Sequence, residues 1–334
     1  MRAVVIDQLG GSQMLRLTTL DQPLPGPGEV LVQVHYAGVN PADWKCREGY
    51  LGGFLTYRFP FVLGFDLAGT VVAVGEGVTG FAPGARVFAQ SDVGAGKWGS
   101  YAEYCCVRQD SIVPIPEDLG FAQAASVPTP ALAAWAGLFD DGGLQARQKV
   151  LVHGGAGAVG TFAIQFAKAA GAQVVATCSA ENLGYVESLG CDHAIDYRTH
   201  DILAAVKQWS PAGVDLIVDC VGCASLPDAL DMLCPGGLLV AILTLAEGDA
   251  GPDHAAAAQR GLRTAVTYSK MPSGANLTRI AALLADGQVR TPRIQILALE
   301  QVANAHDLLQ HGGAKAKLVL QVVDGDGLAT RLSA

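Results

Sequence analysis

Three glycines at a fixed spacing, Gly155, Gly157 and Gly160, point most directly to chemistry. An apolar run at 150–152 precedes them, and a segment with helical periodicity follows. Between a strand and a helix, the first glycine permits a tight turn, the second lets the backbone approach a pyrophosphate, and the third lets the helix pack closely on its strand. The pattern predicts a dinucleotide site at the turn Gly155, Ala156, Gly157, Ala158, Val159 and Gly160.

The end of the next apolar run, at 174–176, indicates which dinucleotide is bound. An Asp or Glu at this place would bind the ribose diol of NAD. The chain instead continues Thr177-Cys178-Ser179. A serine hydroxyl can donate to a 2′-phosphate, which a carboxylate would repel. We therefore expect NADPH as the cofactor, with NADH as the alternative.

The elements that position these residues follow from the hydrophobic pattern. The second part of the chain alternates predicted strands, at 150–153, 173–176, 193–196, 215–219, 237–242 and 263–267, with predicted helices at 160–170, 181–189, 202–208, 225–233 and 253–259. Such alternation predicts a doubly wound parallel sheet of order 3-2-1-4-5-6, with the ligand at the carboxyl ends of the strands.

The flanking segments differ in character. Short predicted strands, at 3–6, 30–36, 67–74, 86–89 and 100–107, lie between turns rich in Gly and Pro; helical stretches follow at 121–125 and 130–139. After a predicted helix at 275–285, β character returns at 293–297 and 317–323, around a helix at 300–310. At 334 residues two domains are expected. We assign 123–287 to a nucleotide domain, inserted into a β domain built from 1–122 and 288–334.

Composition narrows the class of protein. The chain is 50% hydrophobic and 16% charged, which is typical of a compact α/β protein. Its net charge of −9 argues against a nucleic-acid partner. The N-terminus lacks a secretory apolar segment and no apolar run could span a membrane, so we expect a cytoplasmic protein with no membrane partner.

The eight cysteines are expected to be reduced thiols. We expect the lone pair Cys220 and Cys223 to be packing residues rather than zinc ligands.

Several motifs in order resemble the zinc-independent branch of the medium-chain dehydrogenase/reductase superfamily, the quinone oxidoreductases and enone reductases. They are Gly38-Val-Asn-Pro-Ala-Asp-Trp-Lys45, Leu63-Gly-Phe-Asp-Leu-Ala-Gly-Thr-Val71, Gly99-Ser-Tyr-Ala-Glu-Tyr104, Ala124-Ala-Ser-Val-Pro128, the glycine turn and Ala194-Ile-Asp-Tyr197. The resemblance covers nearly the whole chain. It implies a distorted GroES-like β barrel that carries an inserted Rossmann domain, and a homodimer.

The zinc-dependent members of the same superfamily carry Cys where this chain has Asn40, and His-Glu where it has Phe65 and Asp66. Asn is a poor zinc ligand and Phe is none. We therefore expect no zinc, and expect alcohol oxidation to be disfavoured. The remaining chemistry is transfer of hydride from NAD(P)H to a small molecule that conjugation already polarises, such as a quinone or an α,β-unsaturated carbonyl.

The resemblance implies three catalytic candidates, Asn40, Lys45 and Tyr50. They would orient the acceptor, stabilise the charge that develops on its oxygen, or donate a proton. Asp43 is expected to brace the loop. For the 2′-phosphate, the family uses a serine, a lysine shortly after it, and the tyrosine of the Ile-Asp-Tyr element. This chain keeps Ser179 and Tyr197 but has Glu181 and Asn182 at the lysine. Asn182 and Val221 complete the candidate cofactor-binding set.

Two alternatives stay open. One is an enoyl thioester reductase, for which a basic patch near Tyr50 is missing in the sequence. The other is a protein that binds NADPH without catalysis, as some crystallins resembling this family do. The histidines are not expected to be catalytic. His35 and His153 are interpreted as packing residues, and the others as residues of surfaces or helix ends, namely His193, His200, His254, His306 and His311. The loops 49–59 and 243–253 are expected to shape the substrate site.

Overall fold

The computed structural model describes residues 1–94, 96–244 and 251–323, so part of the loop 243–253 lies outside the described residues. Its strands are, in chain order, β1 Arg2–Ile6, β2 Arg16–Thr19, β3 Glu29–Gly38, β4 Phe61–Val62, β5 Asp66–Val74, β6 Arg86–Gln90, β7 Tyr104–Arg108, β8 Ile112–Pro114, β9 Lys149–His153, β10 Gln173–Cys178, β11 His193–Asp196, β12 Val214–Asp219, β13 Leu233–Ile242, β14 Arg263–Thr267, β15 Ile294–Ala298 and β16 Lys317–Gln321. Its α-helices are α1 Pro41–Glu48, α2 Phe121–Ala125, α3 Pro128–Trp135, α4 Ala158–Ala169, α5 Leu183–Ser188, α6 Ile202–Trp209, α7 Ala229–Met232, α8 His254–Gln259, α9 Gly274–Ala285 and α10 Val302–Gln310.

The chain divides into two compact units. The first comprises Met1–Thr129, Met271–Gly287 and the chain from Thr291; the second comprises Pro130–Lys270 and Gln288–Arg290. This division differs from the predicted domain borders at α9, which the sequence analysis places with the nucleotide domain. Helix α9 packs on β8 and on the turn that precedes β8, so it belongs with the first unit.

The second unit is built on a six-stranded parallel sheet of order β11-β10-β9-β12-β13-β14. This is the predicted doubly wound order 3-2-1-4-5-6, which is therefore confirmed. The apolar residues of β9, β10 and β12 are fully buried, as expected for strands covered by helices on both faces. The order reverses between β9 and β12, whose last residues, His153 and Asp219, lie side by side.

Several predicted elements of the sequence analysis are shorter in the structure, among them the following three. The helix predicted at 225–233 is reduced to α7, because Pro227 disfavours helical geometry in the residue before it. The helix predicted at 181–189 opens with a 3₁₀ turn, Ala180–Asn182, before α5. The strand predicted at 100–107 begins only at Tyr104. Among the described helices, none is both long and apolar enough to cross a bilayer.

The first unit brings three distant segments together around β3. The larger of its two sheets has the order β15-β16-β3-β5-β6-β8, with β7 also paired to β3. Gly38 at the end of β3 pairs with Asp66 at the start of β5 and with Val319 of β16. The chain then enters α1, which the sequence analysis did not predict although Asn40 and Pro41 form a typical helix start.

The glycine turn joins β9 to α4, as predicted. The tight turn needs a left-handed residue, and this is Gly154 (φ 83°) rather than Gly155. Gly155 has a packing role, since a Cβ there would lie 2.9 Å from the Ala176 Cβ and 3.0 Å from Ile164 Cδ1. Gly157 is the exposed N-cap of α4. Gly160 lies directly against the Gly154 carbonyl group, so the third glycine allows the close approach of helix and turn that the sequence predicted.

We expect Gly160→Ala to destabilise the protein by about 1–3 kcal/mol, because its Cβ would overlap the backbone of Gly154 and Gly155. The midpoint of urea unfolding measures this. Gly184→Ala is the matched control. No atom lies within 4 Å of a Cβ at this position in α5, so that change should stabilise by up to about 1 kcal/mol. Equal midpoints for the two variants would contradict the packing role of Gly160.

Candidate cofactor site and acceptor-site residues

A directed chain of hydrogen bonds fixes the carboxyl edge of the second unit's sheet. The Gly154 N–H donates to Thr177 Oγ1 (3.0 Å), so the Thr177 hydroxyl is placed to donate to His153 Nδ1 (2.8 Å). His153 Nε2 lies 3.0 Å from Ser225 Oγ, whose own hydrogen goes to the Gly222 carbonyl (2.6 Å). Nδ1 therefore accepts and Nε2 donates, which is the pattern of a neutral ring.

Burial lowers the pKa of His153, and the Asp219 carboxylate beside it opposes that shift. The ring therefore stays neutral and keeps both of its hydrogen bonds. Asp219 accepts the Val221 and Gly222 N–H groups at 2.9 and 3.0 Å. The loop after β12 and the glycine turn after β9 are thus held rigidly next to each other.

The predicted phosphate-binding residues lie at this edge. The first intrahelical hydrogen bond of α4 runs from the Thr161 N–H to the Gly157 carbonyl (2.8 Å), so the N–H groups of Ala158, Val159 and Gly160 have no intrahelical acceptor and lie at the positive end of the helix dipole. Ala156 lies half-buried within the turn. Val221 is 50% exposed, and its side chain lies over Gly154. An anion bound at the turn would therefore meet backbone donors and an apolar side chain.

The residues predicted for the 2′-phosphate are also brought together. The Tyr197 N–H donates to the Cys178 carbonyl (3.1 Å), which places Tyr197 beside Ser179. Asn182 Nδ2 donates to Ser179 Oγ (3.0 Å), and Ser179 Oγ donates to Glu181 Oε1 (3.3 Å). An acidic side chain therefore already takes the serine hydrogen that the sequence analysis reserved for a phosphate.

In the first unit, Asp43 fixes the start of α1 and braces the loop, as the sequence analysis expected. Its carboxyl oxygens accept the Asn40 N–H (2.6 Å) and the Phe65 N–H (3.2 Å). The Tyr101 hydroxyl is a third donor to this carboxyl group. Burial raises the pKa of Asp43 to about 7, against the lowering effect of these donors.

The Asn40 side chain does not cap its own helix, although an N-cap asparagine normally does. Its Nδ2 donates to Asp66 Oδ2 (2.9 Å), and its Oδ1 accepts from the Lys317 ammonium. Lys317 also donates to the Val39 carbonyl (3.0 Å) and lies 3.7 Å from Asp66 Oδ2. All three side chains are at least nine-tenths buried.

Asp66 is surrounded by donors. Besides Asn40, the Thr129 N–H (2.9 Å) and hydroxyl (2.6 Å) donate to its Oδ1. The Thr129 oxygen accepts from Gln90 Nε2 (3.0 Å), which leaves its hydrogen for Asp66. Burial raises the pKa of Asp66 and lowers that of Lys317, while each charge favours the ionised form of the other. With only donors around the carboxyl group, the geometry is that of an ion pair.

A second buried chain links α1 to α10. The fully buried Arg47 donates to His306 Nδ1 (3.2 Å), so His306 Nε2 carries the hydrogen that points at the Tyr101 oxygen (3.2 Å). The Tyr101 hydrogen then goes to Asp43. Burial, reinforced by Arg47, lowers the pKa of His306 to about 3. The prediction that His306 lies at a surface or helix end is therefore wrong, because His306 is buried in the middle of α10, which packs on α1.

The other two predicted catalytic residues lie on and just after α1. The Lys45 side chain is 8% exposed, and its ammonium lies 5.3 Å from the centroid of the Trp44 ring. Tyr50 is 40% exposed and meets the same ring edge to face at 6.0 Å. Trp44 therefore groups Lys45 with Tyr50, whereas the Asn40 side chain belongs to the separate network of Asp66 and Lys317.

The residues at the zinc-ligand positions do not fit a zinc ion. Phe65 offers no donor atom, the Asn40 oxygen faces an ammonium group, and the Asp66 oxygens hold Thr129 and Asn40. Of these three positions only Asp66 supplies a carboxylate. A metal ion would have to displace the Lys317 ammonium to reach it. Among the described residues, no group of three His, Cys, Asp or Glu side chains could hold a metal ion.

Sequence reasoning missed Thr129, Lys317, Tyr101, Arg47 and His306. One of them carried a signal. Lys317 opens the apolar run 318–320, and a charged residue next to such a run indicates a buried partner. The pairing itself could not be read from the sequence, because Asn40 and Lys317 are 277 residues apart.

His306 gives a prediction for pH. Its folded-state pKa of about 3 lies below the unfolded value of 6.5, so it contributes stability above pH 6.5 that is lost as the pH falls toward 3. Between pH 7 and pH 4, the free energy of unfolding should therefore fall by about 3 kcal/mol more in the wild type than in His306→Gln. Urea unfolding at a series of pH values measures the difference, and His311→Gln is the exposed control. Parallel pH curves for the wild type and His306→Gln would contradict the assignment.

Comparison with known families agrees with this architecture. Residues 26–117 match the alcohol dehydrogenase GroES-like domain, and residues 189–320 match the family described as zinc-binding dehydrogenase. The chain is 33% identical over 360 residues to the mitochondrial NAD(P)H oxidoreductase RTN4IP1 of Danio rerio, covering 97% of this chain and 92% of the relative. It is 29% identical to the quinone oxidoreductase of Homo sapiens, covering 96% and 97%.

Solved structures show the same relationship. The quinone oxidoreductase from Coxiella burnetii superposes with a TM-score of 0.84 at 32% identity, covering 97% of this chain and 99% of that one. An NAD-dependent alcohol dehydrogenase superposes with a TM-score of 0.87, also at 32% identity, over 97% of this chain and 100% of that one. The predicted fold, a GroES-like domain with a Rossmann domain, is confirmed. The chain belongs to the medium-chain dehydrogenase/reductase superfamily, in its quinone oxidoreductase branch, and is an NAD(P)H-dependent oxidoreductase.

Proposed function

We propose that this protein is an NADPH-dependent reductase of quinones or α,β-unsaturated carbonyls that works without zinc. The observation that carries the proposal is the network at the zinc-ligand positions, where Asn40 and Asp66 hold the Lys317 ammonium. In zinc-dependent dehydrogenases the metal acts as a Lewis acid that stabilises the alkoxide during oxidation of an alcohol, so that route requires a metal ligand set. A conjugated acceptor does not, because its own π system accepts the electron pair of the hydride.

In the proposed reaction NADPH supplies the hydride, which adds to the β carbon of an enone or to a quinone. Negative charge then develops on the acceptor oxygen, and a hydrogen-bond donor fixed in advance lowers the barrier most. Lys45 is our candidate for this donor, since its charge is held at α1 by Trp44. Tyr50, which is partly exposed and packs on the same Trp44 ring, is the candidate for proton donation. Asn40 is the candidate that orients the acceptor.

We propose that the glycine turn binds the pyrophosphate of the cofactor, and that Ser179, Asn182 and Tyr197 bind the 2′-phosphate of NADPH, with Val221 against the adenosine part. Support comes from the placement of all four side chains at the carboxyl edge of one sheet. Glu181 opposes a phosphate by charge. It should therefore weaken the preference for NADPH over NADH without abolishing binding.

The proposal includes a homodimer and a cytoplasmic location. The names of several relatives place those proteins in mitochondria. The edge strand β14 has its Val266 39% exposed, so a second copy could cover it.

The test of function is a panel of acceptors. Mixing the protein with NADPH and a p-quinone, an enone or an enoyl thioester should give loss of nicotinamide absorbance with the quinone and enone, unchanged after dialysis against a chelator. Lys45→Met should lower kcat by about tenfold or more, because one charged hydrogen bond to the developing anion is lost, with NADPH affinity unchanged. Lys97→Met, which removes an exposed lysine paired with Glu29, is the control. Turnover of the thioester alone would favour the enoyl reductase, and tight NADPH binding without turnover would favour a non-catalytic protein.

Cofactor preference gives a second test. Glu181→Lys should raise the ratio of kcat/KM for NADPH to that for NADH by about tenfold or more, because a repelling charge becomes a charged donor to the 2′-phosphate. Glu187→Lys makes the same charge change at an exposed position of α5 and should leave the ratio within about twofold. If both variants change the ratio equally, the 2′-phosphate does not lie at Ser179.

A further inference from the structure

Three acceptor groups surround the Lys317 ammonium in the protein interior. It donates to the Val39 carbonyl (3.0 Å) and to the Asn40 carboxamide oxygen, and it forms an ion pair with Asp66 Oδ2 at 3.7 Å. The residues that follow in β16, Leu318, Val319 and Leu320, are fully buried. An apolar side chain would suit this place at least as well for stability, since buried ion pairs rarely stabilise more than their hydrophobic replacements.

The contacts of the ammonium determine the orientation of Asn40. An ammonium can only donate and a carboxylate can only accept, so the Asn40 oxygen must face Lys317 and its nitrogen must face Asp66. One hydrogen of Nδ2 is used by Asp66. The second Nδ2 hydrogen has no hydrogen-bond acceptor among the described residues. The ammonium at Oδ1 also polarises the amide, which makes the remaining N–H a stronger donor.

We propose that Lys317 is a positioning residue that acts through Asn40. It supplies the fixed positive charge at the place where zinc-dependent relatives hold a metal, and it orients the Asn40 carboxamide so that the second Nδ2 hydrogen is presented to the oxygen of the acceptor. Lys317 itself does not touch the acceptor, because its ammonium is buried against Val39, Asn40 and Asp66. This inference rests on the proposed function, and it extends that function to the cause of the orientation of Asn40.

Chemical rescue tests the inference. Lys317→Ala removes a propylammonium group and leaves its binding partners in place. We expect kcat with a quinone to fall by about tenfold or more, while NADPH affinity stays within about twofold. Adding n-propylammonium chloride should restore kcat in a saturable way, whereas n-propanol and sodium chloride should not. Lys315→Ala, which removes an exposed lysine two residues earlier, should behave as the wild type.

A neutral pair separates positioning from stability. Asp66→Asn combined with Lys317→Met removes both charges together, so no buried charge is left unpaired and the fold should be kept. If Lys317 orients Asn40, kcat of this double variant stays low and propylammonium does not restore it. Full turnover of the double variant would overturn the inference, because it would show that Lys317 only balances the charge of Asp66.

A readout without substrate separates this inference from the proposed function. Propylammonium should raise the melting temperature of Lys317→Ala in a saturable way, and should not do so when Asp66→Asn is added. Absence of that stabilisation would overturn the cation site, whatever the turnover. If the wild type reduces no quinone or enone, the proposed function fails instead, and saturable stabilisation would still support the cation site.

Discussion

The burial of the Asp66 carboxylate is the constraint on which the organisation of the first unit depends. A carboxylate inside a protein is unfavourable unless donors surround it. Here the donors come from three separate places in the chain: Asn40 before α1, Thr129 in α3 and Lys317 at the start of β16. One buried charge therefore ties the first helix, the strand β5 and the last strand together. Asp43 adds to this by holding the backbone of Asn40 and Phe65, so the segments before α1 and β5 keep a fixed separation.

Neutral histidines connect the elements in both units. His153 joins β10 to the loop after β12, and His306 joins Arg47 of α1 to Tyr101. In each case one ring nitrogen accepts and the other donates, and burial lowers the pKa so that the ring stays neutral. A neutral imidazole suits both positions because it accepts a hydrogen bond at one nitrogen and donates one at the other, and it adds no buried charge. The glycine turn and the start of α1 are held by hydrogen bonds of the same kind.

The sequence predicts what depends on neighbouring residues and misses what depends on distant ones. The strand–turn–helix at Gly160 and the order of the parallel sheet follow from local periodicity and from the glycine spacing, and both are found. The surface position expected for His306 is wrong because its face of α10 packs on α1, and no local pattern marks that. Asn40 was identified by resemblance alone. That its carboxamide contacts Lys317, 277 residues away, is a property of the folded sheet.

An internal ammonium and a bound metal differ in what they can do for a substrate. A catalytic metal keeps an open position and takes the substrate oxygen directly. The buried Lys317 ammonium donates to Val39 and Asn40 and pairs with Asp66, so under the proposal its charge would reach a substrate only through the amide of Asn40. An amide N–H can stabilise an enolate or a hydroquinone anion, whose charge is already delocalised, but it cannot ionise an alcohol. The proposed restriction to conjugated acceptors would then follow from the packing of β16 against β3, and not only from the residue types Asn40 and Phe65 at the zinc-ligand positions.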